Sequence, residues 1–339
     1  MTPFSTPGYG ADATGLVCGF TFGADGTGTP TDTTQALQWL AERGATSGPE
    51  FVWLHFNLSH AATARWLREH LQLSDVFHES LKEGTRSTRV ELDDDTLIAV
   101  VNDVRYDFAF EPTDIATLWL SVGSRLVVTA RLQPLRSIDR LRDAVRKGTR
   151  LGSSVDLLVH LMHDQGDVLV HIVRQTTARV DALEDKLLAG RLARKRADLG
   201  ALRRVLVRLQ RLLAPEPAAL FRLLSLPPAW IAEADQDGLR QATEEFNVAL
   251  RDMAALEERI KLLQEDIAGR VAEANNRSLF VLTIVTVLAL PINMIAGLLG
   301  MNVGGIPLAD HPHGFWIIVA IVVSFTVLAG WIVFRQSRD

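Results

Sequence analysis

The spacing of apolar residues changes along this chain. Over residues 15–150 they come in short runs rich in β-branched and aromatic side chains: GLVCGFTF, EFVWLHFN, STRVELD, TLIAVV, YDFAF, ATLWLSV and RLVVTA. Runs of that length and composition predict strands. Between some of them lie stretches with helical spacing, such as TDTTQALQWLAERG, where Thr31 or Asp32 supplies an N-cap. The alternation predicts an α/β domain over 15–150, preceded by a flexible Gly/Thr/Pro tail over 1–14.

From Ser153 the spacing lengthens to three and four residues. Helices are expected at about 153–190 and 193–214, after which Pro215, Pro217 and the Pro227-Pro228 pair break the chain. No proline then occurs until Pro291, and Phe246, Ala249, Met253, Leu256, Ile260, Leu263, Ile267, Val271 and Ala274 form a packing seam. The seam meets no stop signal before the apolar segment that follows. One continuous helix is therefore expected from about 238 to 300, on the order of 90 Å long at ~1.5 Å per residue. Residues 151–277 read as a helical stalk.

Two segments near the C-terminal end carry no ionisable group: Ser278–Gly300 and Phe315–Phe334. Each approaches the ~20 residues that cross a ~30 Å hydrocarbon layer. Residues 278–339 are thus expected to form a transmembrane domain in a lipid bilayer. Arg270 and Arg277 precede the first span, Arg335 and Arg338 follow the second, and the loop Met301–Gly314 has no Lys or Arg. By the positive-inside rule both termini face the cytoplasm, as in a bacterial-type inner membrane, with the loop outside. The first residues have neither the basic nor the apolar region of a signal peptide.

Composition adds little to this. The chain has 339 residues, 47% hydrophobic and 22% charged, with a net charge of −5. Its single cysteine, Cys18, excludes an intrachain disulfide and a multi-cysteine zinc site, and reads as a small core side chain. No Gly-rich phosphate loop, nucleophile elbow or Ser/His/Asp order is present, so no enzyme active site, resident cofactor or nucleic-acid partner is expected.

The first span holds the candidate chemistry. Asn276, Leu279, Thr283, Thr286, Leu290, Asn293 and Gly297, continued by Met301 or Asn302, recur at 3/4 steps on one helical face that ends in the tripeptide Gly300-Met301-Asn302. A polar amide such as Asn293 at mid-membrane faces a partner helix or water. Two helices cannot enclose water, so an aqueous path along this face requires an oligomer. Glu258 and Glu265 continue the same face toward the cytoplasm, where a ring of subunits would make them line a vestibule. Their other reading is an ordinary solvated face.

At this point the residues resemble a known family. A long helix, a proline-bearing first span ending in Gly300-Met301-Asn302, a short external loop, a second span and a basic tail are similar to the CorA family of divalent-cation channels and transporters. YDFAF to VVTARLQPL and LEDKLL are also family-like. The sequence NVGGIPL after the tripeptide looks like the zinc transporter ZntB branch. The resemblance implies a funnel-shaped homopentamer lined by the first span, with Asn302 ringing the outer mouth. It also implies zinc uptake, with proton coupling, Zn²⁺ being the transported ion.

The side chains themselves set a tension with zinc. Asn302 and the threonines offer oxygen, which suits hard, hydrated divalent ions, while zinc prefers nitrogen and sulfur. A Mg²⁺/Co²⁺ channel is therefore the alternative within the family. A membrane-anchored signalling or scaffold protein is the alternative outside it. Zinc-like ligands lie elsewhere. His311 and His313 flank Pro312 in the loop. His160, Asp164, Asp167 and His171, with His163 adjacent, share a face of the first long helix and form a candidate metal site. The same spacing suits a solvated face.

Overall fold

The computed structural model describes residues 10–43, 48–84, 88–111, 113–188, 193–301 and 311–336. The chain divides into two compact units, residues up to 264 and residues from 265.

The first unit is built on a seven-stranded sheet. Its strands are β1 (Leu16–Phe22), β2 (Gly28–Pro30), β3 (Phe51–Asn57), β4 (Arg89–Asp93), β5 (Thr96–Val104), β6 (Ile115–Val122) and β7 (Leu126–Arg131). Their order across the sheet is β2-β1-β3-β7-β6-β5-β4. All neighbours are antiparallel except β3 and β7, which run parallel. Alternate side chains feed two cores, as the pleat requires. Val52, Leu54, Phe56, Ile98, Val100 and Trp119 meet one face, and helices α1 (Thr33–Arg43), α2 (Thr63–His70) and α3 (Asp75–Glu83) bring Ala36, Leu67 and Phe77 to it. Phe51, Trp53, Leu97, Ala99, Leu118 and Leu120 fill the other. There they meet α4 (Arg136–Arg146), α5 (Ser154–Leu188), α7 (Pro215–Ser225) and the start of α8 (Glu233–Leu299) through Leu141, Leu157, Leu220 and Leu239. α5, α7 and the start of α8 thus share a core with the sheet. A bulge between Leu16 and Cys18 sends these residues, two apart, to opposite cores. Burial pushes the Cys18 thiol up to about 12.

The sheet also encloses a polar network. Trp53 Nε1–H donates to Thr129 Oγ1 at 2.9 Å, and Arg131 Nε–H donates to His55 Nε2 at 3.1 Å. His55 Nε2 is therefore an acceptor, so Nδ1 carries the proton and donates to Thr129 Oγ1 at 2.8 Å. Burial and the charges of Arg131 and Arg142 hold the His55 pKa well below its ordinary value, which keeps the ring neutral.

Several elements differ from the sequence expectation. YDFAF is not a strand. Phe110 sits at φ 64°, and the N–H groups of Ala109 (2.7 Å) and Glu111 (3.0 Å) donate to Asp114 Oδ2. The segment is an Asx-fastened loop whose Phe110 ring carries the Arg179 guanidinium at 3.8 Å. The edge strand β2 escaped notice because Gly-Thr-Pro reads as a turn, and proline is tolerated at a sheet edge. The chain breaks at Ala214, as expected, and Pro215 and Pro217 also open a new helix, α7, where a first-turn proline loses no hydrogen bond. α6 (Ala193–Leu213) precedes it.

The seam on α8 is buried at Phe246, Ala249, Met253, Leu256, Ile260 and Ile267, whereas Val271 and Ala274 are exposed. Ion pairs fasten this helix to its neighbours. Arg259 meets Asp181 at 2.8 Å and Glu184 at 2.6 Å, and Arg203 meets Glu257 at 3.1 Å.

The second unit holds the rest of α8 and α9 (Gly314–Gln336). α8 stays helical through Pro291. It contains a segment long and apolar enough to cross a membrane, and α9 is apolar from Gly314 to Ala329.

Candidate pore-lining face

The second unit sorts α8 into two faces. Ile284, Leu288, Ile292, Ile295 and Leu299 are among the partly covered positions, with Ala289 and Pro291. Ile292, Ile295 and Leu299 face Phe315, Ile318, Val319 and Val322 of α9 across an apolar groove. These positions step by three and four residues and so form one stripe. At 100° per residue, Leu279, Thr283, Thr286, Leu290, Asn293 and Gly297 form a second stripe roughly opposite it. All six are exposed, as is Asn276 one step before them. The polar face therefore points away from the only helix that packs beside it among the described residues of this unit.

Its hydrogen bonding is specific. Thr283 Oγ1–H donates to the Leu279 carbonyl at 2.8 Å and Thr286 Oγ1–H to the Leu282 carbonyl at 2.9 Å. The hydroxyl protons are thereby used within the helix, and the oxygen lone pairs remain for whatever lies outside. Asn293 has no such bond among the described residues, so its amide is left to an external partner. At Gly297 a Cβ would meet nothing within 4 Å, which leaves the face open there. Gly300 N–H closes the last turn on the Ala296 carbonyl at 2.9 Å, and Met301 follows it, half exposed. Asn302 lies outside the described residues.

The sequence model of the family described as "CorA-like Mg2+ transporter protein" matches residues 48–336. The chain belongs to the CorA family. Among its relatives is the "Divalent cation transporter CmaX" of Pseudomonas aeruginosa, 30% identical over 96% of this chain and 97% of the relative. The structure of full-length CmaX superposes with a TM-score of 0.79 over 97% of this chain and 99% of that one, at 28% identity. The "Zinc transport protein ZntB" of Yersinia enterocolitica is 26% identical over 82% of this chain and 85% of its own. The CorA magnesium transporter of Methanocaldococcus jannaschii shares the fold, with a TM-score of 0.73 at 21% identity over 94% and 98% of the two chains.

The other expected residues of this CorA-family chain are placed apart. Glu258 is exposed and pairs with Lys261 Nζ at 3.0 Å; Glu265 is exposed. On α5 only His160 and Asp164 approach each other, and His163, Asp167 and His171 take other partners. His160 lies 3.8 Å from Asp164, His163 meets Glu245 at 3.0 Å, Asp167 lies 3.9 Å from Arg140, and His171 bonds Gln175 at 2.7 Å. Among the described residues no group of three or more His, Cys, Asp or Glu is gathered to hold a metal. Helical spacing placed the five on neighbouring positions, but α4 and α8 each draw one away. Beside Pro312, His313 N–H donates to His311 Nδ1 at 3.2 Å.

Sequence reading missed a buried acid. Glu216, in the first turn of α7, is 2% exposed, and neither carboxylate oxygen has a hydrogen-bond partner among the described residues. Burial, reinforced by the charge of Asp103, pushes its pKa well above the ordinary value. Asp103 is itself raised to about 6 by burial, although it accepts the N–H groups of Val104 at 2.7 Å and Ser137 at 3.3 Å. Only the chain's return onto the sheet brings these acids together, so no local signal announces them.

Proposed function

We propose that this chain transports divalent cations across a bacterial-type inner membrane as a homopentamer, with α8 lining the pathway and zinc taken up as the leading substrate. The observation that carries the reading is the α8 face itself: exposed, oxygen-bearing and turned away from α9. Five such faces around an axis would give rings of Thr283, Thr286 and Asn293 oxygens, with Gly297 leaving width and Gly300-Met301-Asn302 at the outer mouth. In this reading α9 is the second span, both termini are cytoplasmic, and the exposed Glu258 and Glu265 attract cations on that side. The zinc assignment draws support from ZntB-like relatives, and His311 and His313 would offer Zn²⁺ imidazole nitrogens outside.

A second reading is a Mg²⁺/Co²⁺ channel, favoured by the oxygen-only chemistry of the face, which suits hard hydrated ions better than zinc. The test is flux into liposomes containing the full-length protein. Zn²⁺ entering faster than Mg²⁺ or Co²⁺ supports the first reading, and Mg²⁺ entering faster supports the second. An imposed pH gradient that changes the Zn²⁺ rate indicates proton coupling. No flux of any of the three ions removes both readings.

A further inference from the structure

We infer that the soluble unit contains a binding site for a phosphate-class oxyanion, set between the sheet and α6. This does not rest on the transport reading. A cavity of about 360 Å³ opens where the end of β5, the start of β6, the β7–α4 connection and α6 meet. Its polar lining includes Arg105, Arg208, Asn102, Thr113, Thr117 and Gln133, with no Asp or Glu among the lining residues.

Two arginine side chains therefore line one space with no acid among its lining residues. The Nε atoms of both Arg105 and Arg208 are buried and have no hydrogen-bond partner among the described residues. Arg105 is partly neutralised from outside, since its Nη2 meets the exposed Asp107 at 2.9 Å. Arg208 has no ion pair among the described residues. A guanidinium stays charged at every physiological pH, so two of them beside one space cannot relieve their repulsion by losing a proton. A tetrahedral oxyanion in the cavity would relieve it, since it presents several oxygens at once to guanidinium N–H groups. Threonine hydroxyls and the Gln133 amide are the right donors to complete such a shell.

The walls are held in place independently of any ligand. The Leu212 carbonyl at the end of α6 accepts from Thr88 Oγ1 at 2.9 Å and from Asn102 Nδ2 at 3.3 Å, which ties the helix to the sheet. Arg208 also lines a second, more open groove with Arg203, Arg204 and Arg211. Of these only Arg203 has an ion-pair partner among the described residues, Glu257. The run RRVLVRLQR contains no acid, so this surface draws anions toward the cavity mouth. The cavity is larger than a single phosphate, which leaves room for a small phosphate ester.

The test is titration of the full-length protein in detergent with inorganic phosphate and with glycerol 3-phosphate, against sodium chloride at matched ionic strength, read by calorimetry and melting temperature. The expected result is saturable binding that weakens by about tenfold or more in Arg105→Gln and Arg208→Gln. Arg208→Lys, which keeps the charge but loses the two-pronged edge, should still weaken it. Tighter binding of the ester assigns the site to a phosphorylated metabolite, and equal binding assigns it to free phosphate. Binding of neither compound beyond the chloride effect overturns the inference, as does binding that all three variants retain. Should a variant misfold, the wild-type titration still decides.

Discussion

In the sheet, Trp53, His55, Thr129 and Arg131 are buried and hydrogen-bond to one another, whereas on α8 the exposed Asn293 closes no side-chain hydrogen bond among the described residues. The first group is a structural device: the Trp53, His55 and Arg131 Nε donors find their acceptors within it. The second leaves its amide exposed. Exposed Leu279, Leu290 and Met294 lie around it, a surface that a soluble chain would bury. Polar groups that a fold satisfies internally stabilise it, and polar groups it leaves open mark where the molecule meets something else.

The comparison can be broken most directly at Gly297. A Cβ there meets nothing within 4 Å among the described residues, so Gly297→Leu should leave the single chain folded. If five copies surround a pathway, flux should fall by about a hundredfold or more, because five isobutyl groups replace five hydrogens at one level. Unchanged liposome flux would show that this face is not the pathway. Next in size is Thr129→Val, which strands the Trp53 and His55 donors. It should cost about 2–3 kcal/mol in denaturant melts, with flux per folded protein retained.

Asn293→Leu should do the reverse, lowering flux by about tenfold while shifting stability by less than about 0.5 kcal/mol. Equal losses of flux and stability would erase the distinction between the two regions. Glu216→Gln comes after it. The native carboxyl holds its proton more tightly than the unfolded one, so its contribution is fully present below the ordinary value of 4.5 and is lost as pH rises through the raised folded value. The variant should therefore be more stable than wild type by about 1 kcal/mol at pH 8 and show a flatter stability profile between pH 5 and 8. Thr283→Val is the smallest. Its hydroxyl already serves its own helix, so stability should move by less than about 0.5 kcal/mol, with flux reduced about two- to threefold.

Much of this was legible along the chain because its causes are local. Short β-branched and aromatic runs placed β1, β3, β4, β5, β6 and β7 within a few residues, and the unbroken seam placed α8, which begins at Glu233 rather than near 238. Where local reading failed, a contact had overruled the pattern. YDFAF alternates like a strand, but Asp114 captures its backbone N–H groups. The α5 histidines share a helical face, but Glu245 on α8 takes His163 and Gln175 takes His171.

By itself the sequence determined the class of each element and the identity of the polar stripe, since both depend on spacing along one helix or strand. It determined the family through Gly300-Met301-Asn302 and its setting. Tertiary structure alone decided which way the stripe faces, because that depends on where α9 packs, and no periodicity in α8 encodes its neighbour. It also decided which charges are stranded. Glu216 looks like an ordinary surface residue in the sequence, and only the return of α7 to the sheet removes it from water, where a charge without a partner becomes expensive.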